Sequence, residues 1–265
     1  LLIIFIVFTQ IVVHKMNEPN TSKLAVLIDA DNASASNIEY LINEISRYGE
    51  IIVNRIYGDF TLPNNSQWRK VLQKYSIKPI QQFRNTVGKN ASDSALIIDA
   101  MDLLYTQKLN GFCIISSDSD FTGLATRIRE EGLKVYGFGE EKTPESFRNS
   151  CNKFISIDLL QPKKIKTVKT KKNAGNSDTT KKSDASIFPK EFIIEALDNS
   201  YDDSGWAYIS VFGSYLAKLK PDFDSRRYGY KKLSDLVKGK TDIFDIDERV
   251  NPASNTKELF IRAKE

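Results

Sequence analysis

Leu24-Ala-Val-Leu-Ile28 is a run of five apolar residues that ends on Asp29, with Ala30, Asp31 and Asn32 behind it. A short branched run of this kind predicts a strand buried on both faces of a parallel sheet. Gly111-Phe-Cys-Ile-Ile115 repeats the pattern and runs into Ser116-Ser117-Asp118-Ser119-Asp120. In an open α/β sheet the carboxyl ends of the strands face the ligand crevice, so both runs are expected to deliver acidic turns to one edge. Between them, Ile38, Leu41, Ile42 and Ile45 predict a helix capped by Ser34 or Ser36. Ile51 to Tyr57 predicts a strand, and Trp68, Val71, Leu72 and Tyr75 a helix entered near Pro63. Lys78 to Gln82 reads as a short strand, and Ala95, Ile98, Met101 and Tyr105 carry a helical period. After Ile115 come a helix with Phe121, Leu124, Ala125 and Ile128 on its apolar face and a strand from Leu133 to Phe138. A short helix after Pro144 and a last strand from Phe154 to Ile157 follow. Strands alternating with helices at this spacing predict a doubly wound parallel α/β sheet.

The pattern stops at Pro162. Lys163, Lys164, Lys166, Lys169, Lys171, Lys172, Lys181 and Lys182 are interspersed with Thr, Asn, Gly and Ser, the composition of a linker. It reads equally as a solvated tether and as an electrostatic grip on RNA. Periodicity returns on a smaller scale from Ile187. Phe192, Ile193, Ala196 and Leu197 predict a helix, and Ile243 to Ile246 with Leu259 to Arg262 predict a two-stranded wing. The expected organisation is a non-domain segment over 1–20, an α/β domain over 21–160, a linker over 161–186 and a small helix-rich domain over 187–265.

Leu1 to Val13 is almost wholly apolar, yet too short to span a bilayer and without a basic leader. Met16 reads as the start, with residues 1–15 as translated upstream sequence; a truncated anchor or signal segment is the alternative. The formal net charge of +4 is too mild to establish a nucleic-acid partner. Two cysteines form neither a metal motif nor a disulfide framework, which points to reducing cytoplasm. The single histidine, His14, lies ahead of the first domain, which disfavours a Ser-His-Asp triad and a His-ligated zinc site. Any chemistry is left to carboxylates, hydroxyls, lysines and metal-bound water.

Three motifs in order, Ile28-Asp-Ala-Asp-Asn32, the Lys89-Asn90-x-x-Asp93 segment with its following Asp99-Ala-Met, and Ser116-Ser-Asp-Ser-Asp-Phe121, resemble the NYN domains. These are the LabA-like branch of the PIN-type ribonucleases, and the resemblance covers about residues 22 to 160. It implies a parallel sheet between helices and an Asp cluster that binds Mg²⁺ or Mn²⁺ and cuts RNA. On it, Asp29, Asp93, Asp118 and Asp120 are the candidate metal ligands and catalytic residues. Asn32, Ser116, Ser117, Lys89 and Arg84 are candidates for holding substrate; Asp31 and Asp99 are weaker candidates. Residue by residue, a helix cap is a sufficient explanation of each Asp, at about 1 kcal/mol. Four carboxylates converging within roughly 5 Å would cost about 3 kcal/mol per pair at an effective dielectric near 20, and would imply a cation.

The C-terminal stretch resembles the OST-HTH, or LOTUS, domain through Gly205-Trp-x-x-Ile-Ser210, Lys218-x-x-Pro-Asp-Phe-Asp224 and Arg226-x-Tyr-Gly-Tyr-Lys-Lys-Leu-Ser-Asp-Leu236. That resemblance implies a winged helix-turn-helix that binds RNA, or a protein partner. The joint expectation is a metal-dependent ribonuclease with an RNA-binding module. The alternative is a catalytically silent adaptor that binds RNA or protein. A phosphatase or nucleotide switch is disfavoured because no Gly-rich loop follows the first strand. No membrane partner is expected, and oligomeric state is not legible.

Overall fold

The computed structural model of the chain describes residues 21–83, 91–106, 108–161, 188–251 and 255–264. The segment expected to precede the domain, the Lys-rich stretch, and the candidates Arg84 and Lys89 lie outside them. Six parallel strands form the first sheet: β1 (Lys23–Asp29), β2 (Glu50–Gly58), β3 (Lys78–Gln81), β4 (Gly111–Ile115), β5 (Lys134–Gly139) and β6 (Lys153–Ser156). Their order is β3-β2-β1-β4-β5-β6. The crossovers reverse direction between β1 and β4, so the crevice expected of a doubly wound sheet opens at the carboxyl ends of those two strands.

The sequence of β1 explains its central place. Leu24, Val26 and Ile28 point to one face, where they meet Ile38, Leu41 and Ile45 of α1 (Ile38–Ile45) and the buried Trp68. Ala25 and Leu27 point to the other, against Leu96, Ala100 and Leu103 of α3 (Ala91–Thr106) and Phe121. All these residues are buried, so one strand contributes to two cores. The helix expected around Trp68 is instead a 3₁₀ turn, Pro63–Trp68, followed by the single turn α2 (Arg69–Leu72). Helices α4 (Thr122–Glu130) and α5 (Glu145–Ser150) complete the second layer.

The C-terminal domain contains α6 (Lys190–Asp198), α7 (Ile209–Leu219) and α8 (Leu233–Gly239). They pack on a three-stranded antiparallel sheet of β7 (Ala207–Tyr208), β8 (Phe244–Val250) and β9 (Lys257–Ala263). Ile193, Leu197, Phe212, Leu216, Leu236, Phe244 and Ile261 form its core. The wing expected as two strands gains β7 as a third, ordered β7-β9-β8. Gly229 turns the chain before α8 at φ 86°, a left-handed conformation that glycine adopts without strain.

The two domains touch along β6. An unpaired edge strand is a liability unless covered, and here the Pro221 carbonyl accepts the Phe154 N–H at 2.9 Å. Arg148 pairs with Asp222 at 2.8 Å, and Arg227 pairs with Glu141. Arg226 lies between Asp224 at 2.6 Å and Glu44 of α1 at 3.2 Å. The Pro221-Asp-Phe-Asp-Ser-Arg-Arg227 segment, part of the LOTUS-like signature, is therefore spent on docking.

Candidate functional site

Asp29 closes β1 at the switch point and is wholly buried. Its Oδ2 accepts from Asn32 Nδ2 at 2.7 Å and from Ser116 Oγ at 2.9 Å, and its Oδ1 accepts from the Asp31 N–H at 3.0 Å. Burial pushes its pKa up, while these three hydrogen bonds pull it back. Ser116, also buried, accepts from the Asp118 N–H at 3.1 Å, so a single hydroxyl ties the end of β1 to the turn after β4. Asp118 in turn caps the following 3₁₀ turn, accepting from the Asp120 N–H at 2.9 Å. Ser92, in the first turn of α3, donates to Asp31 at 3.1 Å.

Asp93 stands beside Ser92 in that first turn. Its pKa is raised to about 6, first by burial and then by the charges of Asp29, Asp118, Asp31 and Asp120. Asp29, Asp31, Asp118 and Asp120 are thus within electrostatic reach of Asp93. Among the described residues, however, no three His, Cys, Asp or Glu side chains are gathered closely enough to hold a metal ion. The donor chemistry, all carboxylate and hydroxyl oxygen, is that of a hard divalent cation. Its placement is that of a hydrogen-bonded turn network.

Other expectations fare differently. Asn32 and Ser116 reach the site as ligands of Asp29. Ser117 faces away, accepting from the Glu140 N–H at 2.9 Å. Asp99 does not join the acids: it is bound by Arg55 and Tyr57 of β2, where it neutralises the arginine. The sequence reading missed Ser92, whose only signal was its place beside Asp93. It also missed Asp59, the residue directly after β2. Asp59 is buried and serves structure, accepting from the Thr61 N–H at 3.0 Å and from Gln81 at 2.8 Å.

Gly139 marks how tightly the turn is packed. A Cβ there would lie 2.6 Å from the Ser116 carbonyl and 2.5 Å from Thr143 Oγ1. Gly139→Ala is therefore expected to shift Ser116 and reduce stability by about 1–3 kcal/mol, measurable by urea denaturation.

A pH experiment probes Asp93. Its folded pKa of about 6 lies above the ordinary 3.8, so ionisation destabilises the folded state. The deficit is absent below pH 3.8, grows as pH rises towards 6, and is complete above it. At face value the shift is worth about 3 kcal/mol, and solvent screening of this half-buried group reduces it to about 1 kcal/mol. Asp93→Asn is expected to be more stable than the wild type at pH 7.5 and to lose that advantage near pH 3.8. Equal stability at both pH values would contradict the raised pKa of Asp93.

Residues 23–158 match the NYN domain family, and the chain belongs to it. Residues 186–256 match the OST-HTH/LOTUS domain family, so the chain joins the two domains. Among solved structures, the chain is similar to an uncharacterised protein from Nitrosomonas europaea determined by solution NMR. The identity is 48%, over 36% of this chain and 92% of that chain, with a TM-score of 0.29. It is also similar to residues 175–257 of a protein from Chromobacterium violaceum, at 38% identity over 28% of this chain and 77% of that chain, with a TM-score of 0.24. A protein of unknown function from Vibrio parahaemolyticus matches at 18% identity over 54% of this chain and 98% of that chain, with a TM-score of 0.47. No protein of curated function matches the chain. No helix among the described residues is long and apolar enough to cross a membrane.

Proposed function

We propose that this NYN–LOTUS protein acts as an RNA-binding regulatory protein built on a nuclease fold. The observation that carries this reading is the use made of the acidic residues. Both oxygens of buried Asp29 are taken up by Asn32, Ser116 and the Asp31 N–H, and Asp118 is engaged as a cap. These carboxylates hold the β1 and β4 turns together, and their negative charge repels an RNA backbone. RNA recognition then falls to the LOTUS module and to basic surface elsewhere.

A second reading, a Mg²⁺- or Mn²⁺-dependent ribonuclease, is favoured by the raised pKa of Asp93, which burial and then the charges of Asp29, Asp118, Asp31 and Asp120 produce. In that reading Asp29, Asp93, Asp118 and Asp120 would hold the cation, which supplies an activated water and neutralises the phosphoryl oxygens. Ser116 and Asn32 would fix the Asp29 carboxylate. Incubating labelled single-stranded RNA with the full chain and Mn²⁺ separates the two. Bound but intact RNA is expected; cleavage that disappears in Asp118→Asn would instead establish the ribonuclease.

A further inference from the structure

Where the LOTUS domain docks, it leaves a cleft of about 290 Å³ against the NYN domain. That is at the lower end of the ~300–1,000 Å³ of ligand pockets. Its floor is the ionic set of Glu44, Arg226 and Asp224. The carboxyls of Glu44 and Asp224, which burial would push up, are both brought below their ordinary values by Arg226. These charges are satisfied within the fold. The rest of the charged lining is different, because Arg47 and Lys153 of the NYN domain line the same cleft as Lys231 and Lys232 of the LOTUS domain. Five cations against two carboxylates leave the lining at +3.

Arg47 has Glu44 at 3.1 Å, but Lys153, Lys231 and Lys232 have no carboxylate within 4.0 Å among the described residues. The Lys153 ammonium instead sits 5.3 Å from the Tyr48 ring centroid. It is partly stripped of water, and burial lowers its pKa against the pull of Asp224 and Glu44. A lysine already desolvated and lacking an ion pair gains directly from an incoming anion.

We propose that this interdomain cleft binds the phosphodiester backbone of single-stranded RNA, with both domains contributing phosphate contacts. The proposal rests on the RNA-binding reading above and gives it a place. Lysines without an ion pair, contributed by both domains to one cleft, suit a polyanion better than a single carboxylate. Leu216, Pro221 and Phe223 add apolar lining for a ribose or base. The Lys-rich stretch from Lys163 to Lys182 has the same sign as the cleft, so it is not the occupant. Because only the docked arrangement assembles the cleft, RNA bound here holds the domains together by mass action.

The test uses the full chain and a fluorescein-labelled oligouridylate of about 12 nucleotides, within the usual footprint of single-strand binders. Anisotropy is read in EDTA, so that no cleavage intervenes, across a salt series. The triple variant Lys153→Gln, Lys231→Gln, Lys232→Gln is compared with a control triple at exposed lysines, Lys70→Gln, Lys108→Gln, Lys134→Gln. The cleft triple is expected to raise Kd about tenfold and flatten the slope of log K against log salt by about 2, from three lost phosphate contacts at ~0.7 each. The control triple is expected to change Kd by less than about threefold. The pair Lys231→Gln, Lys232→Gln, both exposed, guards against a folding effect at Lys153 and is expected to flatten the slope by about 1.4. Equal effects of the two triples, or an unchanged slope in the pair, would overturn the cleft while leaving RNA binding elsewhere intact. A wild type that ignores the RNA but binds polyglutamate would overturn both the cleft proposal and the RNA-binding reading.

Discussion

Asp29→Ala is expected to lower the unfolding free energy of the NYN domain by about 3 kcal/mol, among the larger effects a single substitution produces. The side chain is fully buried and accepts from three donors on two separate turns. Removing it strands the Ser116 hydroxyl, itself buried, and leaves a cavity at the end of the central strand; Asn32 and the Asp31 N–H, nearer the surface, recover water. Asp29→Asn is expected to lose less, about 1–2 kcal/mol, because one of its two acceptor positions becomes an NH₂ facing a donor. A melting-temperature drop of about 6–12 °C for the alanine variant, and a smaller one for asparagine, checks the order. It follows that loss of any activity in an Asp29 variant reports on folding as much as on chemistry. Asp118 and Asp93 are the better positions for a functional test.

Arg226→Ala is expected to weaken the docking of the LOTUS domain by about 2 kcal/mol. Breaking a buried ion pair costs about 3–5 kcal/mol because the abandoned carboxylates stay desolvated. Arg226 is only partly buried, which reduces the figure. Two acids, Glu44 and Asp224, lose their partner together. Hydrogen exchange of the Phe154 amide, which donates to the Pro221 carbonyl across the interface, should accelerate in the variant relative to the wild type. The same interface carries a pH dependence. Glu44 and Asp224 titrate below their ordinary values of 4.5 and 3.8, so their contribution is complete above pH 4.5 and is lost as pH falls through the lowered values. Acid-induced separation that Arg226→Ala abolishes would confirm the assignment; wild-type docking that is indifferent to acid would contradict it.

The features that were legible in the sequence are local ones. The two apolar runs ending in Asp29 and Ser116 announced β1 and β4, because burial on both faces leaves no alternation and the carboxylates have nowhere to go but the strand end. The signatures of both families lie within short windows, and so could be read. What was not legible depends on distant partners. Ser116 reaches Asp29 across 87 residues, and Arg55 and Tyr57 claim Asp99 across 44 and 42. No periodicity records which side chain a strand end will meet. β7, two residues long, is too short to show alternation, so the third strand of the wing was missed. The docking role of Pro221 to Arg227 was hidden by a motif whose resemblance suggested a separate module for RNA or a protein partner.

The most direct measurement is the binding of a labelled single-stranded RNA to the wild-type full chain across a salt series, with no divalent ion present. Saturable binding is expected, with log K falling linearly against log salt at a slope of about −2 or steeper, as at least three phosphate contacts require. Binding that is absent at low salt, or that does not respond to salt, would contradict an RNA-binding NYN–LOTUS protein.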